Sequence, residues 1–313
     1  MTTSRTTSNS STQLPESPSK PSNLSASGLP QTRKDKTGKH KKIQRNWYSP
    51  TVSPEHGAYV VLIVSFLTGA AAAQQWTWTT TLALRCAFCG FQAEHPLVLQ
   101  IKQRRSWKPR FLVWAGAYGG IAIAIAAWLF WLNLETWKGN ESWSESWALL
   151  IIYGVALAAT LVDGVLVWKR QQKSRVNELV TFAAVCLSAP LAYIVTTGTL
   201  PLTIIGLWLL NTLFFSGAIF TVKLRKVRTA SVVPGLIFHC LATILIVLLW
   251  QIHWLLPITA GAFGVAWLKF GLILWQKDWY CHTKIQHVAM LETGASLLFF
   301  VIAALSLLPS HLT

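Results

Sequence analysis

Apolar runs close to twenty residues long, separated by short polar or basic connections, constrain this chain more than any other feature. A run of that length spans about 30 Å of hydrocarbon as an α-helix. Inside lipid the backbone must satisfy its own hydrogen bonds, so such runs cross as helices. Nine can be drawn, at roughly 57–75, 78–98, 111–133, 147–168, 178–197, 200–222, 232–250, 253–275 and 288–308. The expected fold is all-α, a polytopic transmembrane helix bundle of about nine helices filling residues 48–313. Only 12% of the residues are charged, against about a quarter in soluble domains.

Residues 1–47 are different. They are rich in Ser, Thr, Pro and Lys, with almost no large apolar side chain before Trp47. Such a segment buries too little surface to offset its chain entropy, so a disordered, basic cytoplasmic tail is expected. The net charge of +16 would suit a nucleic-acid partner if it covered one folded face. Its distribution points elsewhere. Of the 27 Lys and Arg, 24 lie in the tail or in the connections after runs two, four, six and eight. Those on the other side carry Lys138 with Glu135, Glu141 and Glu145. This is the positive-inside pattern, with the amino terminus in the cytoplasm and the carboxy terminus opposite. Tryptophans such as Trp76, Trp78, Trp131, Trp147, Trp168, Trp250, Trp254 and Trp275 fall near run ends, as interfacial anchors do.

The five cysteines form no extracellular disulfide framework. Cys86 and Cys89 make a C-x-x-C inside an apolar run, where they read as small packing residues. No metal site and no cofactor are expected, because zinc needs further ligands at workable spacing.

The polar residues inside the runs are the informative exceptions. Arg85 and Lys269 stand within apolar stretches, where an insertion cost of about 2.5–3.5 kcal/mol turns each toward protein or water. Two Glu-His pairs, Glu55-His56 and Glu94-His95, flank the first two runs and return to one level if those runs are antiparallel. Asp163, Glu178, Lys223, His239 and Glu292 fall near the same cytoplasmic level. Read functionally, Glu55, His56, Glu94, His95, Asp163, Lys223, His239, Lys269 and Glu292 line one pocket open to the cytoplasm. Read structurally, they are caps and ion pairs. Ser53-Pro54-Glu55 has the order of an ordinary helix start. Pro96 should end or kink the second helix. Asp163 can pair with Lys169 and Arg170, and Lys269 with Asp163 or Glu292.

The stretches Pro54-Glu55-His56-Gly57-Ala58 and Phe91-Gln92-Ala93-Glu94-His95-Pro96-Leu97 resemble the YwiC-like bacterial membrane proteins. Phe215-Ser216-Gly217 through Lys223, and Leu291-Glu292-Thr293-Gly294, resemble later parts of that family. The resemblance implies a helical protein of the bacterial inner (cell) membrane and brings no reaction with it. The count of nine helices is also the plan of the UbiA-type membrane prenyltransferases, so a UbiA-like arrangement is an option. Those enzymes carry Asp-rich motifs that hold Mg²⁺ on a diphosphate. Here Glu94 is the sole acid between residues 78 and 110, and Lys223, Arg225 and Lys226 stand near helix six. A diphosphate would have to be held by Lys and Arg directly.

Three functional expectations result. The first is a membrane protein whose cytoplasmic polar cavity binds a lipid or other small ligand, with membrane lipid as partner. The second is a transferase acting on an isoprenoid or quinone-like substrate. The third is a transporter of an ion or small molecule, with Arg85, Lys269 and Glu292 marking its path.

Overall fold

The computed structural model describes residues 50–53, 56–103, 106–137, 146–225 and 231–308, all within the compact unit Asn46–Thr313. The tail, the pair Pro54-Glu55 and the expectations placed on them lie outside the described residues. Those described form helices and no strand: α1 His56–Ala73, α2 Trp78–Lys102, α3 Pro109–Trp137, α4 Ser146–Trp168, α5 Arg175–Cys186 and α6 Ser188–Thr197. There follow α7 Leu202–Leu224, α8 Val233–Gln251, α9 Pro257–Gly261, α10 Gly264–Trp275, α11 Lys277–His282 and α12 Ile285–Ser306.

Among the described residues eight segments are long and apolar enough to cross a membrane, taking α5 with α6 and α9 with α10. They correspond to eight of the nine runs drawn from the sequence. The protein is a multi-pass integral membrane protein. The ninth run is α2, a helix of 25 residues that carries Arg85, Gln92, Glu94 and His95. It packs along α3 more extensively than any other pair of helices does.

Three local details go beyond the runs drawn from the sequence. Pro96 does not end α2, which runs on to Lys102 and is capped at Gln103, whose N–H reaches Leu99 and Gln100 carbonyls. A buried proline inside a helix removes one backbone bond, and packing against α3 and α4 evidently outweighs it. The fifth run is interrupted at Leu187, three residues before Pro190, which has no N–H to offer the Cys186 carbonyl. The eighth is interrupted at Ala262 and Phe263, between Gly261 and Gly264. Glycine costs about 1 kcal/mol in a helix relative to alanine, so breaks collect there.

The middle of the bundle is α1, which packs on α5, α6, α7 and α12. Its closest approach is at Gly69, where a Cβ would lie 2.0 Å from the Ala189 carbonyl oxygen. Only glycine lets the two backbones meet so closely. Ser188 closes the same crossing by donating its hydroxyl to the Leu62 carbonyl at 3.2 Å. Further across, the Phe214 ring of α7 stacks on Phe299 of α12 with centroids 4.0 Å apart.

The helix ends carry the tryptophans the sequence placed there. Trp76, Trp78, Trp131, Trp147, Trp168, Trp250 and Trp275 are all exposed, the arrangement of an interfacial belt. Arg85 is exposed too, and its guanidinium lies 5.8 Å over the Trp78 ring, two turns back toward the start of α2. The chain leaves α4 by a Schellman turn. Gln171 N–H donates to Leu166 O at 2.8 Å and Arg170 N–H to Val167 O at 3.0 Å, with Arg170 in the left-handed region at φ 59°.

Candidate functional site

Charged side chains meet mainly where α5, α7, α10 and α12 face one another near the basic connections. Lys269 points inward from α10 and is 96% buried by its 4% residual exposure. Its Nζ donates to Glu292 Oε2 of α12 at 2.7 Å and lies 5.3 Å over the Phe214 ring. Of the two partners expected for Lys269, the structure takes Glu292. The second oxygen of that carboxylate, Oε1, accepts from the Thr221 hydroxyl of α7 at 3.3 Å. Glu292 keeps 22% of its side chain exposed, against 3% for Lys269, so the couple opens to the outside on the carboxylate side.

Behind it stands His239 of α8, fully buried and stacked on Phe270 with centroids 4.4 Å apart. Its Nδ1 is 2.7 Å from the Gly235 carbonyl oxygen, while its Nε2 has no hydrogen-bond partner in the structure. This is mostly a packed ring, held by the aromatic faces of α8 and α10. In front of the couple, α11 brings Tyr280, also fully buried, with the Arg225 guanidinium 5.7 Å over its ring. Arg225 Nη2 donates to Thr283 O at 2.6 Å, which ties the end of α7 to the end of α11. Burial pushes the Tyr280 phenol up to about 12, and the nearby Glu292 charge adds to the same direction.

The other acids have their own partners. Lys223 of α7 pairs with Glu178 in the first turn of α5. Asp163 is buried on α4 and accepts from Asn177 Nδ2 of α5 at 2.6 Å, in place of the pairing expected with Lys169 and Arg170. Those two cations are exposed beyond the end of α4.

At the opposite flank the chain enters α1 through a brace. Gln92 of α2 accepts from Ser53 N–H at 3.2 Å and donates to Tyr59 Oη at 2.5 Å, while Tyr59 donates to Ser53 O at 3.1 Å. Arg110 of α3 adds a bond to Pro50 O at 3.3 Å. His56 is exposed at the start of α1, and Glu94 and His95, two and three residues after Gln92, are half-buried. Glu55 lies outside the described residues.

Several residues that hold these interfaces are not among the nine singled out from the sequence. Gln92, Asn177, Thr221 and Tyr280 are among them. So is Asn211, fully buried in α7, which donates to Thr68 Oγ1 at 3.1 Å and Leu207 O at 2.9 Å. A lone amide in the run Leu209-Leu210-Asn211-Thr212-Leu213 was a readable signal, because an unsatisfied amide costs several kcal/mol in lipid.

A cleft of about 840 Å³ opens between the α2–α3 and α4–α5 connections, lined by Lys102, Lys108, Arg170 and Lys173 with Gln103 and Ser106. Of the nine residues singled out from the sequence, none of the eight described ones lines it.

The family model described as YwiC-like protein matches residues 52–193. This segment is YwiC-like. No curated protein and no solved structure matches the chain. The YwiC-like segment runs from the stretch before α1 into α6, and so contains the Gln92 brace, Glu94-His95 and the Asp163–Asn177 bond. The basic cleft falls within it as well. The Lys269–Glu292 couple lies in the remainder of the chain, beyond residue 193.

Proposed function

We propose that this protein binds a lipid or other small polar ligand from the cytoplasmic side, with its amino terminus in the cytoplasm and its carboxy terminus opposite. The observation that carries this reading is the Lys269–Glu292 couple inside two membrane-crossing segments. Ionised groups at that depth are costly and usually mark a ligand or ion path. Glu292, partly exposed, offers a polar contact where the couple opens, with the buried Thr221 hydroxyl holding its other oxygen.

The orientation rests on how polar groups divide between the two ends of the bundle. Lys223–Glu178, Lys269–Glu292 and Arg225 gather toward the ends with basic connections. The other ends are joined by neutral groups: Thr80 with Thr196 at 2.7 Å, Thr259 with Ser306 at 2.6 Å, and Gln74 with Leu307 O at 2.8 Å. A bacterial inner membrane fits the charge bias and the family likeness.

Transport is the second reading, favoured by two interrupted spans at Leu187 and at Ala262-Phe263. Broken helices at membrane depth recur where transporters bind their cargo. The transferase reading draws less support, since Asp163 and Glu292 sit at separate interfaces.

Solubilising the full chain from its own membranes and analysing it by native mass spectrometry tests the proposal. A retained small adduct, identified after release, is the expected result. Wild-type protein that carries only exchangeable detergent and bulk lipid would count against ligand binding.

A further inference from the structure

We propose that the cleft between the α2–α3 and α4–α5 connections is a phosphoryl-binding site, taking the phosphate of a lipid headgroup or a free phosphorylated compound. Its cytoplasmic placement rests on the orientation proposed above, but its chemistry does not.

Among the described residues four cations line the cleft, Lys102, Lys108, Arg170 and Lys173, and no carboxylate does. The plain alternative is that they only offset helix dipoles, because α2 and α4 both end here. Two helix carboxy termini contribute roughly half a negative charge each. Four positive charges exceed that by about three, so the cleft has a net attraction for anions. Its volume of about 840 Å³ is ample for a phosphate-bearing headgroup.

The walls are braced rather than loose. Gln100 of α2 accepts from Lys108 N–H at 3.1 Å and donates to Ser106 O at 3.3 Å, which fixes the turn that carries Lys108. On the facing wall Arg170 occupies the left-handed position of the Schellman turn at φ 59°. Glycine is the usual residue there, and any other costs about 1 kcal/mol or more. Strain of this kind is often retained at ligand clamps. A glycine at position 170 would relieve the backbone and remove a cation from the cleft. Stability and anion binding therefore pull in opposite directions at this residue.

The test uses the full chain in detergent, with phosphatidic acid as the lipid probe and inorganic pyrophosphate as the soluble one. Native mass spectrometry reads the first, and isothermal titration reads the second. Each cation removed should weaken binding about fivefold, the factor for the ~1 kcal/mol a Lys or Arg gains beside an anionic surface. The triple variant K102A/K108A/K173A should lose on the order of a hundredfold on that basis. R170G should melt at or above the wild-type temperature and still bind more weakly. Cleft-dependent binding of phosphatidic acid alone assigns the lipid headgroup, and cleft-dependent binding of pyrophosphate assigns a free phosphoryl ligand. Wild-type affinity for both probes in the triple variant and in R170G would overturn the site. Because all these variants leave Lys269 and Glu292 in place, that failure would not touch the reading built on the couple.

Discussion

Lys269 donates to Glu292 across 2.7 Å, from α10 to α12, with the lysine all but buried and the carboxylate partly open. Removing one partner of a buried pair costs about 3–5 kcal/mol, while replacing both with apolar residues is often near neutral. The partial exposure of Glu292 lets water offset part of the loss, so about 1–3 kcal/mol is expected for K269M or E292M alone. The double variant K269M/E292M should be more stable than either single one in detergent melting curves. Strictly additive losses would show that the two side chains do not act as a pair.

Gly69 and Gly120 make a matched contrast. A Cβ at Gly69 would meet the Ala189 carbonyl at 2.0 Å, whereas nothing lies within 4 Å of a Cβ at Gly120. G69A must push α1 away from α6 and should destabilise by about 1–3 kcal/mol or more. G120A should be neutral or stabilise by up to about 1 kcal/mol through helix propensity. Thermal melting of both variants checks this, and equal effects would contradict the close crossing.

Tyr280 predicts a high-pH effect. Its folded phenol is raised to about 12, above the ordinary value near 10, so the folded state keeps a proton that the unfolded chain gives up. The contribution is complete below pH 10 and is lost as the pH climbs toward 12. Y280F, which has no phenol to ionise, should show a flatter decline over that window. Identical alkaline profiles for Y280F and the wild type would refute the assignment.

Topology can be measured directly. Reporter fusions within residues 138–145 and at residue 173 should report opposite sides of the membrane. Residue 173 is expected on the cytoplasmic side, with the basic cleft. The same side for both would remove the proposed orientation.

Much of the architecture was readable because span length and loop charge are coarse properties of composition. Eight of the nine apolar runs became crossing segments, and the partner of Lys269 could be narrowed to two acids in advance. What was not readable depends on exact backbone placement. Pro96 was expected to end or kink α2, and α2 continues through it to Lys102. Pro190 looked like part of an unbroken run, yet the helix is interrupted three residues before it. Neither outcome follows from proline chemistry alone, because the surrounding helices decide whether a lost bond ends a helix or bends it. Asp163 took a neutral amide, Asn177, over the nearby cations, since the latter stay in water beyond the end of α4. The nine chosen residues were charged or imidazole groups, and that criterion passed over the amides and hydroxyls at Gln92, Asn211 and Thr221 that join the helices.

On the function proposed above, the Lys269–Glu292 couple is part of a binding site. Native mass spectrometry of the wild type beside K269M/E292M, both extracted from the same membranes, tests it most directly. A defined adduct on the wild type and its loss from the double variant are expected, with the variant still folded by thermal melting. The same adduct at the same occupancy on both proteins would contradict it.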